Sequence, residues 1–334
     1  MFDRDVESVP LWKRWTRQDV PLRLGVSSCL LGREVRADSS HQKDNFIVDQ
    51  LGPYVEWVPR CPEVEIGLGV PREPTRLELK CGGKETELAL TQPESGRDLT
   101  DEMRRYARAE VESLGELDGF ILKKNSATCG LKRVDVHWDG VAAGDGQGLF
   151  AQALAERWPS LPLEEEGRLG DLTLRAAFVE RVFAHNRWRA FLHDEGGVEE
   201  LRAFHEAHRL FLVSHDEAIY GELSLLLEQA QASRSDQLFE HYGALFNAAV
   251  QRVPGIRGHL SVLQQALRFL RGNLDSKDRR LFQLALKDYR RGALPHFVPI
   301  SILRLHVEKH QLKGLANQVY LEPHPKDLLA RRSA

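Results

Sequence analysis

The chain has 334 residues, 42% of them hydrophobic and 28% charged, with a formal net charge of −3. That length suggests two domains of roughly 150 residues each, and the composition excludes a wholly disordered chain. No run of about 18 apolar residues offers a membrane span, the opening MFDRDVESVPLWKRW lacks the apolar stretch of an export signal, and four cysteines are too few for a disulfide scaffold, so a cytoplasmic, reducing home with free thiols is expected.

In chain order, RLGVSSC (23–29) reads as a buried strand running into a loop, and YVEWVPRC (54–61) as a second strand. LTDEMRRYARAEVESLGELDG (99–119) predicts a helix with Thr100 as its cap and acids in its first turn. GFILKKN (119–125) is a third strand, LFAQALAERW (149–158) a helix and LPLEEE (161–166) a fourth strand. Strands alternating with helices predict an α/β domain with a Rossmann-like, largely parallel sheet over residues 1–171. From residue 172 to 334 the texture changes. LTLRAAFVERVFAHNRWRAFL, EELRAFHEAHRLFLVSH, YGELSLLLEQAQ, SDQLFEHYGALFNAAVQRV, SVLQQALRFLRG, DRRLFQLALKDYRR and ISILRLHVEKHQL carry apolar residues at three- and four-residue spacing. They predict an all-α domain of about seven helices.

Three cysteines stand just beyond predicted strands: Cys29, Cys61 and Cys129. In a parallel sheet those loops face one edge, where ligands gather, so the three thiols can converge. Soft thiolates select zinc or an iron–sulfur cluster, and three ligands without a fourth leave an open coordination position. The alternative is that each cysteine is a small buried hydrophobe. Cys81, in LELKCGGKE, reads as part of a hairpin turn.

VSSCLLGREVRAD, RCPEVEIGLGVPR and LKKNSATCGLKR resemble, in order and spacing, the three signature blocks of the thiouracil desulfidase family, and GDGQGLFAQAL and LPLEEEGRL resemble its later blocks. The resemblance covers roughly residues 20–170. FHEAHRLFLVSH, ALPHFVPISILRLHV and QVYLEPHP are similar to a YbgA-like helical domain, and the fusion resembles bacterial enzymes that remove sulfur from 4-thiouridine in tRNA. The resemblance implies a [4Fe-4S] cluster held by Cys29, Cys61 and Cys129 with one open iron. That iron binds the thiocarbonyl sulfur as a Lewis acid while water attacks the carbon. It further implies Glu63 as the base, with Glu65 as a rival, Ser126 as its hydrogen-bonding partner, and Arg36, Asp38 and Arg72 as substrate-binding residues. The chain departs from the family in having Ser126-Ala127-Thr128-Cys129-Gly130 for Ser-Pro-Ser-Cys-Gly, and Ala37-Asp38-Ser39-Ser40 for Tyr-Asp-Gly-Gly. Any role of the residue before the cysteine therefore passes to Thr128.

Charge is unevenly spread. From Gln251 to Ala334 there are 16 Lys+Arg against 6 Asp+Glu, a local +10. Lys277, Arg280, Lys287 and Arg291 recur on one helical face, widened by Arg279 and Arg290, while Leu281, Phe282, Ala285, Leu286 and Tyr289 are expected to dock the helix and Leu284 falls among the basic residues. Together with Arg268, Arg271, Lys309 and Lys313 this face is expected to contact RNA phosphates, and the implied partner is tRNA. GDGQG (144–148) is a tight turn or a phosphate cradle, the turn being the simpler reading. His205, His208 and His215 read as satisfied structural or RNA-contacting histidines rather than as a metal site. The rival functions are a desulfidase of free 2-thiouracil and a non-catalytic iron–sulfur RNA-binding or sensor protein. Oligomeric state is not legible.

Overall fold

The sequence folds into the elements its periodicities call for, with one sheet that they did not announce. The computed structural model describes residues 11–17, 20–82, 85–231 and 235–330. Its contacts form two units, one of residues 19–178 and 327–334, the other of residues 1–18 and 179–326. The chain start thus falls with the helices rather than with the sheet, because Leu11 is buried there. Trp12 lies edge-on to Phe183, and Trp15 packs against Phe191 and Phe204.

The α/β unit begins with β1 (Leu22–Ser27), whose last four residues are all buried. Next come β2 (Val55–Arg60), the short helix α1 (Pro62–Glu65), β3 (Arg76–Gly82), β4 (Glu85–Gln92), β5 (Arg97–Asp98) and α2 (Thr100–Ser113). After these follow β6 (Gly119–Leu122), β7 (Val134–Trp138), β8 (Val141–Gly146), α3 (Leu149–Arg157) and β9 (Leu163–Glu165). The four expected strands form one parallel sheet in the order β2-β1-β6-β9. The chain steps from β1 to β2 on one side and returns to β6 on the other, so the carboxyl end of β1 is a switch point, where such sheets open a crevice.

The second sheet, in the order β5-β4-β3-β7-β8, is largely antiparallel. Its β3–β4 pairing makes the Cys81 segment a hairpin, with Cys81 in the strand opposite Thr86. The β7–β8 hairpin turns at Asp139-Gly140, both with positive φ, the two-residue turn for which an Asp-Gly pair is suited. Helix α2 serves both sheets. Ala107 and Val111 pack with Phe120, Phe150 and Leu154 over the parallel sheet, and Met103 packs with Leu77, Leu90 and Val136 over the other. Thr100 is the first helical residue rather than the cap: Asp98 Oδ1 accepts its backbone N–H at 2.9 Å, and its own hydroxyl accepts the Leu90 N–H at 2.9 Å.

The helical unit contains α4 (Leu172–His193, entered from the α/β unit), α5 (Val198–Ala207), α6 (Arg209–His215), α7 (Glu217–Glu228), α8 (Asp236–Gln251), α9 (Ile256–Leu270), α10 (Ser276–Arg290) and α11 (Phe297–Lys309). The run expected as one helix over 199–215 breaks at His208. The break has a local cause. Two partners fix the His208 ring in its neutral form, since the Phe204 carbonyl (2.7 Å from Nδ1) can only accept and the Arg187 Nε–H (3.1 Å from Nε2) can only donate. Burial, with Arg187 beside it, pushes the His208 pKa well below its ordinary value. The freed N–H of Leu210 finds Gln318 Oε1 at 3.0 Å. His205 lies between Tyr242 and Ser224, 3.1 Å from each hydroxyl, and His215 Nδ1 donates to Arg252 O at 2.7 Å. All three rings are buried and bonded within the helical unit. Among the described residues, no helix is long and apolar enough to cross a membrane.

Arg187 is fully buried, donates to Pro323 O at 2.8 Å and offsets the buried charge of Glu180. Removing the guanidinium leaves the buried acceptors Pro323 O and His208 Nε2 without their donor. Arg187→Ala is expected to destabilise the helical unit by about 1–3 kcal/mol, seen as a lowered urea midpoint. A loss below about 1 kcal/mol would mean that these acceptors find other donors.

Candidate functional site

The switch point at the end of β1 carries the chemistry-bearing side chains. Cys29 lies two residues past β1, in a short 3-10 turn (Ser28–Leu31). Cys61 directly follows β2 and is the residue from which α1 starts, and Cys129 lies in the loop after β6. Because β2, β1 and β6 are adjacent, their loops meet at one edge. Cys29 and Cys129 are buried, Cys61 is half-buried, and all three thiols are free. Burial pushes the Cys29 thiol up to about 11 and the Cys129 thiol up to about 12, and charge on Cys61 would raise both further. Lys123 and Arg36 act on Cys29 in the opposite sense.

Helix α3 holds the Cys129 loop in place. The Phe150 N–H donates to Thr128 O at 2.9 Å, the Ala151 N–H to the same oxygen at 3.2 Å, and the Gly148 N–H to Gly130 O at 2.8 Å. The helix N-terminus is thereby filled by protein carbonyls, so the phosphate cradle considered for GDGQG does not form. The segment leads from β8 into α3. A Cβ on Gly148 would come within 2.5 Å of the Thr128 carbonyl and 2.8 Å of the Cys129 nitrogen.

Glu63 is the centre of a hydrogen-bond network that joins the three loops. Its Oε2 accepts from Arg72 Nε at 2.9 Å and also from Arg72 Nη2. Its Oε1 accepts from Thr128 Oγ1 at 3.0 Å and Thr75 Oγ1 at 3.2 Å. Arg72 Nη1 donates to Val35 O at 2.9 Å and Gly69 O at 3.0 Å, so Arg72 ties the loop after β1 to the loop after β2. Expected as a substrate-binding residue, it is committed to these protein partners. The rival Glu65 is engaged elsewhere: Oε1 accepts the Cys61 N–H at 2.8 Å, and Oε2 accepts the Tyr106 hydroxyl. Glu65 closes the N-terminus of α1, leaving Glu63 as the carboxylate beside Cys129.

Ser126 accepts the backbone N–H groups of Cys129 and Thr128 at 3.1 and 3.3 Å, and its Oγ lies 3.0 Å from Thr128 Oγ1. Asp38 closes a turn, accepting from the Ser40 backbone N–H at 3.1 Å and from the Ser40 hydroxyl. Those Ser40 hydrogen bonds hold its carboxyl below the usual range. Arg36 stands 3.8 Å from Asp38. Lys123 escaped the sequence reading. Lys123 is buried at the end of β6, paired with Glu166 Oε1, while Glu166 Oε2 accepts the Lys124 N–H at 2.7 Å. A lysine at the carboxyl end of a predicted strand beside a thiol loop was the available signal.

A cluster of several irons binds each thiolate to its own iron, so its ligands stand farther apart than those of a single ion. Among the described residues no three His, Cys, Asp or Glu are gathered as a single-ion site. Three soft thiols on adjacent strand ends are a donor set that fits such a cluster.

In the helical unit all nine expected RNA-contacting residues are exposed: Arg268, Arg271, Lys277, Arg280, Lys287, Arg290, Arg291, Lys309 and Lys313. Helix α10 docks through Phe282, Ala285, Leu286 and Tyr289. Leu281, expected among the docking residues, is 52% exposed and joins Leu284 on the outer face. It falls at the margin of the buried stripe, where packing rather than spacing decides. Arg279 turns inward, donating to Arg271 O and Leu274 O.

The fold and site define a parallel-sheet, thiol-bearing unit joined to a helical unit with a basic face. Residues 24–166 match the family described as 2-thiouracil desulfurase, and residues 209–325 match one described as a protein of unknown function (DUF1722). The two matches together fit a chain in which a 2-thiouracil desulfurase domain is followed by a DUF1722 domain. An uncharacterized protein YbgA of Escherichia coli (strain K12) is 23% identical over 171 residues, covering 50% of this chain and 96% of that one. A solved structure described as a [4Fe-4S]-dependent thiouracil desulfidase is 30% identical, covering 47% of this chain and 99% of that one, with a TM-score of 0.36.

Gly148→Ala is expected to push the Thr128–Cys129 backbone off α3 at about 1–3 kcal/mol, the usual cost of overpacking. The check is the denaturation midpoint together with faster alkylation of Cys129 in the metal-free protein. Unchanged values would show that the loop does not depend on this contact.

Proposed function

We propose that the protein removes sulfur from the thiocarbonyl of a thiolated pyrimidine, 4-thiouridine in tRNA, giving uridine and sulfide. The observation that carries this reading is the placement of Glu63 and Thr128 at the edge where Cys29, Cys61 and Cys129 emerge. A [4Fe-4S] cluster held by those three cysteines would supply an open iron that polarises the C=S group as a soft Lewis acid. Glu63 takes a proton from the attacking water at Oε1, where Thr75, its longest donor at 3.2 Å, gives way to the water. The water oxygen replaces sulfur, sulfide leaves, and no electrons are gained or lost overall. Before the water arrives, Arg72 and Thr75 hold the Glu63 carboxylate in place, and Lys123, paired with Glu166, lies near enough to Cys29 to favour its thiolate.

The helical unit supplies the grip. Nine exposed basic residues, in a stretch carrying +10, suit the phosphates of a folded RNA. The target base must be turned out of its stack, at a cost of a few kcal/mol that backbone contacts offset. The description of the matched family, 2-thiouracil desulfurase, favours one other reading, a desulfidase of the free base.

Anaerobically reconstituted full-length protein given thiolated tRNA or, separately, free 2-thiouracil separates the readings. Loss of thiocarbonyl absorbance with sulfide release from tRNA alone supports the RNA reading. Release from the free base alone replaces it, and release from neither points to a sensor. Cys29→Ala, Cys61→Ala and Cys129→Ala are each expected to lose cluster absorbance together with activity, whereas Glu63→Ala keeps the absorbance and loses about 10²-fold or more in turnover. The triple variant Lys277→Glu, Arg280→Glu, Lys287→Glu should weaken tRNA binding and flatten its salt dependence by about one unit of log–log slope per lost phosphate contact. An unchanged slope would place the RNA on another face.

A further inference from the structure

We infer that Thr128 is the positioning residue that sets the Glu63 carboxylate, and that Ser126 acts on the Cys129 loop rather than on the reacting groups. The inference rests on the desulfuration reading and assigns its hydroxyls. It follows from counting hydrogens. A serine or threonine hydroxyl has one hydrogen to give and two lone pairs to receive.

Both lone pairs of Ser126 Oγ are engaged by backbone N–H groups, from Cys129 at 3.1 Å and Thr128 at 3.3 Å. Its single hydrogen therefore points to the remaining neighbour, Thr128 Oγ1 at 3.0 Å. Thr128 Oγ1 receives that hydrogen and gives its own to Glu63 Oε1 at 3.0 Å, because a carboxylate can only accept. The Cys129 sulfur stands farther from the same oxygen, at 3.7 Å. The order is thus Ser126 to Thr128 to Glu63, with every donor assigned. Ser126 meets no carboxylate directly and is the anchor of the turn that carries Cys129.

The surroundings make the Thr128 rotamer firm. Thr128 is 1% exposed, its carbonyl is held by the Phe150 and Ala151 N–H groups of α3, and a β-branched side chain has little freedom at χ1. The hydroxyl is aimed by the backbone that α3 fixes. It reaches the Oε1 side of Glu63 while Arg72 holds Oε2, so the carboxylate plane is gripped from both ends. A misplacement of about 1 Å at a reacting group costs on the order of 10²-fold in rate.

The test uses full-length, iron-loaded protein and whichever thiolated substrate the wild type turns over. Thr128→Val replaces the hydroxyl by a methyl group of similar shape. Bound iron and visible absorbance should match the wild type and KM should stay within about threefold, while kcat falls about 10²-fold. Thr128→Ser restores the hydroxyl and should return kcat to within about threefold of wild type. Ser126→Ala should instead lower the bound iron per chain, because the turn around Cys129 loosens. Wild-type kcat in Thr128→Val overturns the inference, and so does loss of iron in that variant, which would place the hydroxyl in cluster retention. Full iron with lost kcat in Ser126→Ala would return the direct role to Ser126. A wild-type protein that holds its iron and releases no sulfide overturns the desulfuration reading itself, and the assignment of Thr128 with it.

Discussion

Parallel pairing of β1 with β2 on one side and β6 on the other is the constraint from which the site follows. Parallel neighbours end at the same edge, and connections run over the sheet rather than along that edge. Cysteines two, one and seven residues past the ends of three adjacent strands therefore lie at one edge of the sheet. Residues between the thiols then finish the arrangement. Arg72 reaches back to Val35 O in the loop after β1, and Glu63 reaches across to Thr128 in the loop after β6. One carboxylate holds the loops in register.

The same edge illustrates how a buried polar site is made affordable. Each carboxylate near the thiols is assigned to a distinct set of donors: Glu63 to Arg72, Thr75 and Thr128, Glu65 to Tyr106 and the Cys61 N–H, Glu166 to Lys123 and the Lys124 N–H. Glu165 accepts the N–H groups of Leu131 and Lys132, just past the Cys129 turn. A low-dielectric interior strengthens satisfied pairs and penalises orphans. The acidic run LPLEEE is therefore a set of loop anchors rather than a solvated tail of a strand.

The helical unit uses histidine in a related way. His205, His208 and His215 each meet polar partners inside the unit: hydroxyls for the first, a carbonyl and a guanidinium for the second, a carbonyl and the Glu180 carboxylate for the third. Burial favours the neutral ring at His205 and His208. The basic residues, by contrast, are left on the outside of α9, α10 and α11, where a long cationic side chain keeps its water while its helix docks through the opposite stripe.

Periodicity was enough to read the parallel sheet, the helical second half, the docking stripe of α10 apart from Leu281, and the place of three cysteines beyond adjacent strand ends. These are local properties: the alternation of a strand, the 3.6-residue period of a helix and the rule that strand ends share an edge act within a few residues of chain. The antiparallel sheet was not announced although RLELK and ETELALT alternate charged with apolar residues as strands do, because which short runs pair into a sheet is settled only in the fold. The break at His208 depends on Arg187 and Gln318, which are 21 and 110 residues away in the chain, so no spacing signals it. The hydrogen-bond partners of Glu63, Glu65, Arg72, Ser126 and Thr128 were likewise decided in three dimensions. A hydrogen bond is set by ångströms and angles between atoms that the chain brings together from distant positions, and the order of residues specifies such a partner only through the fold.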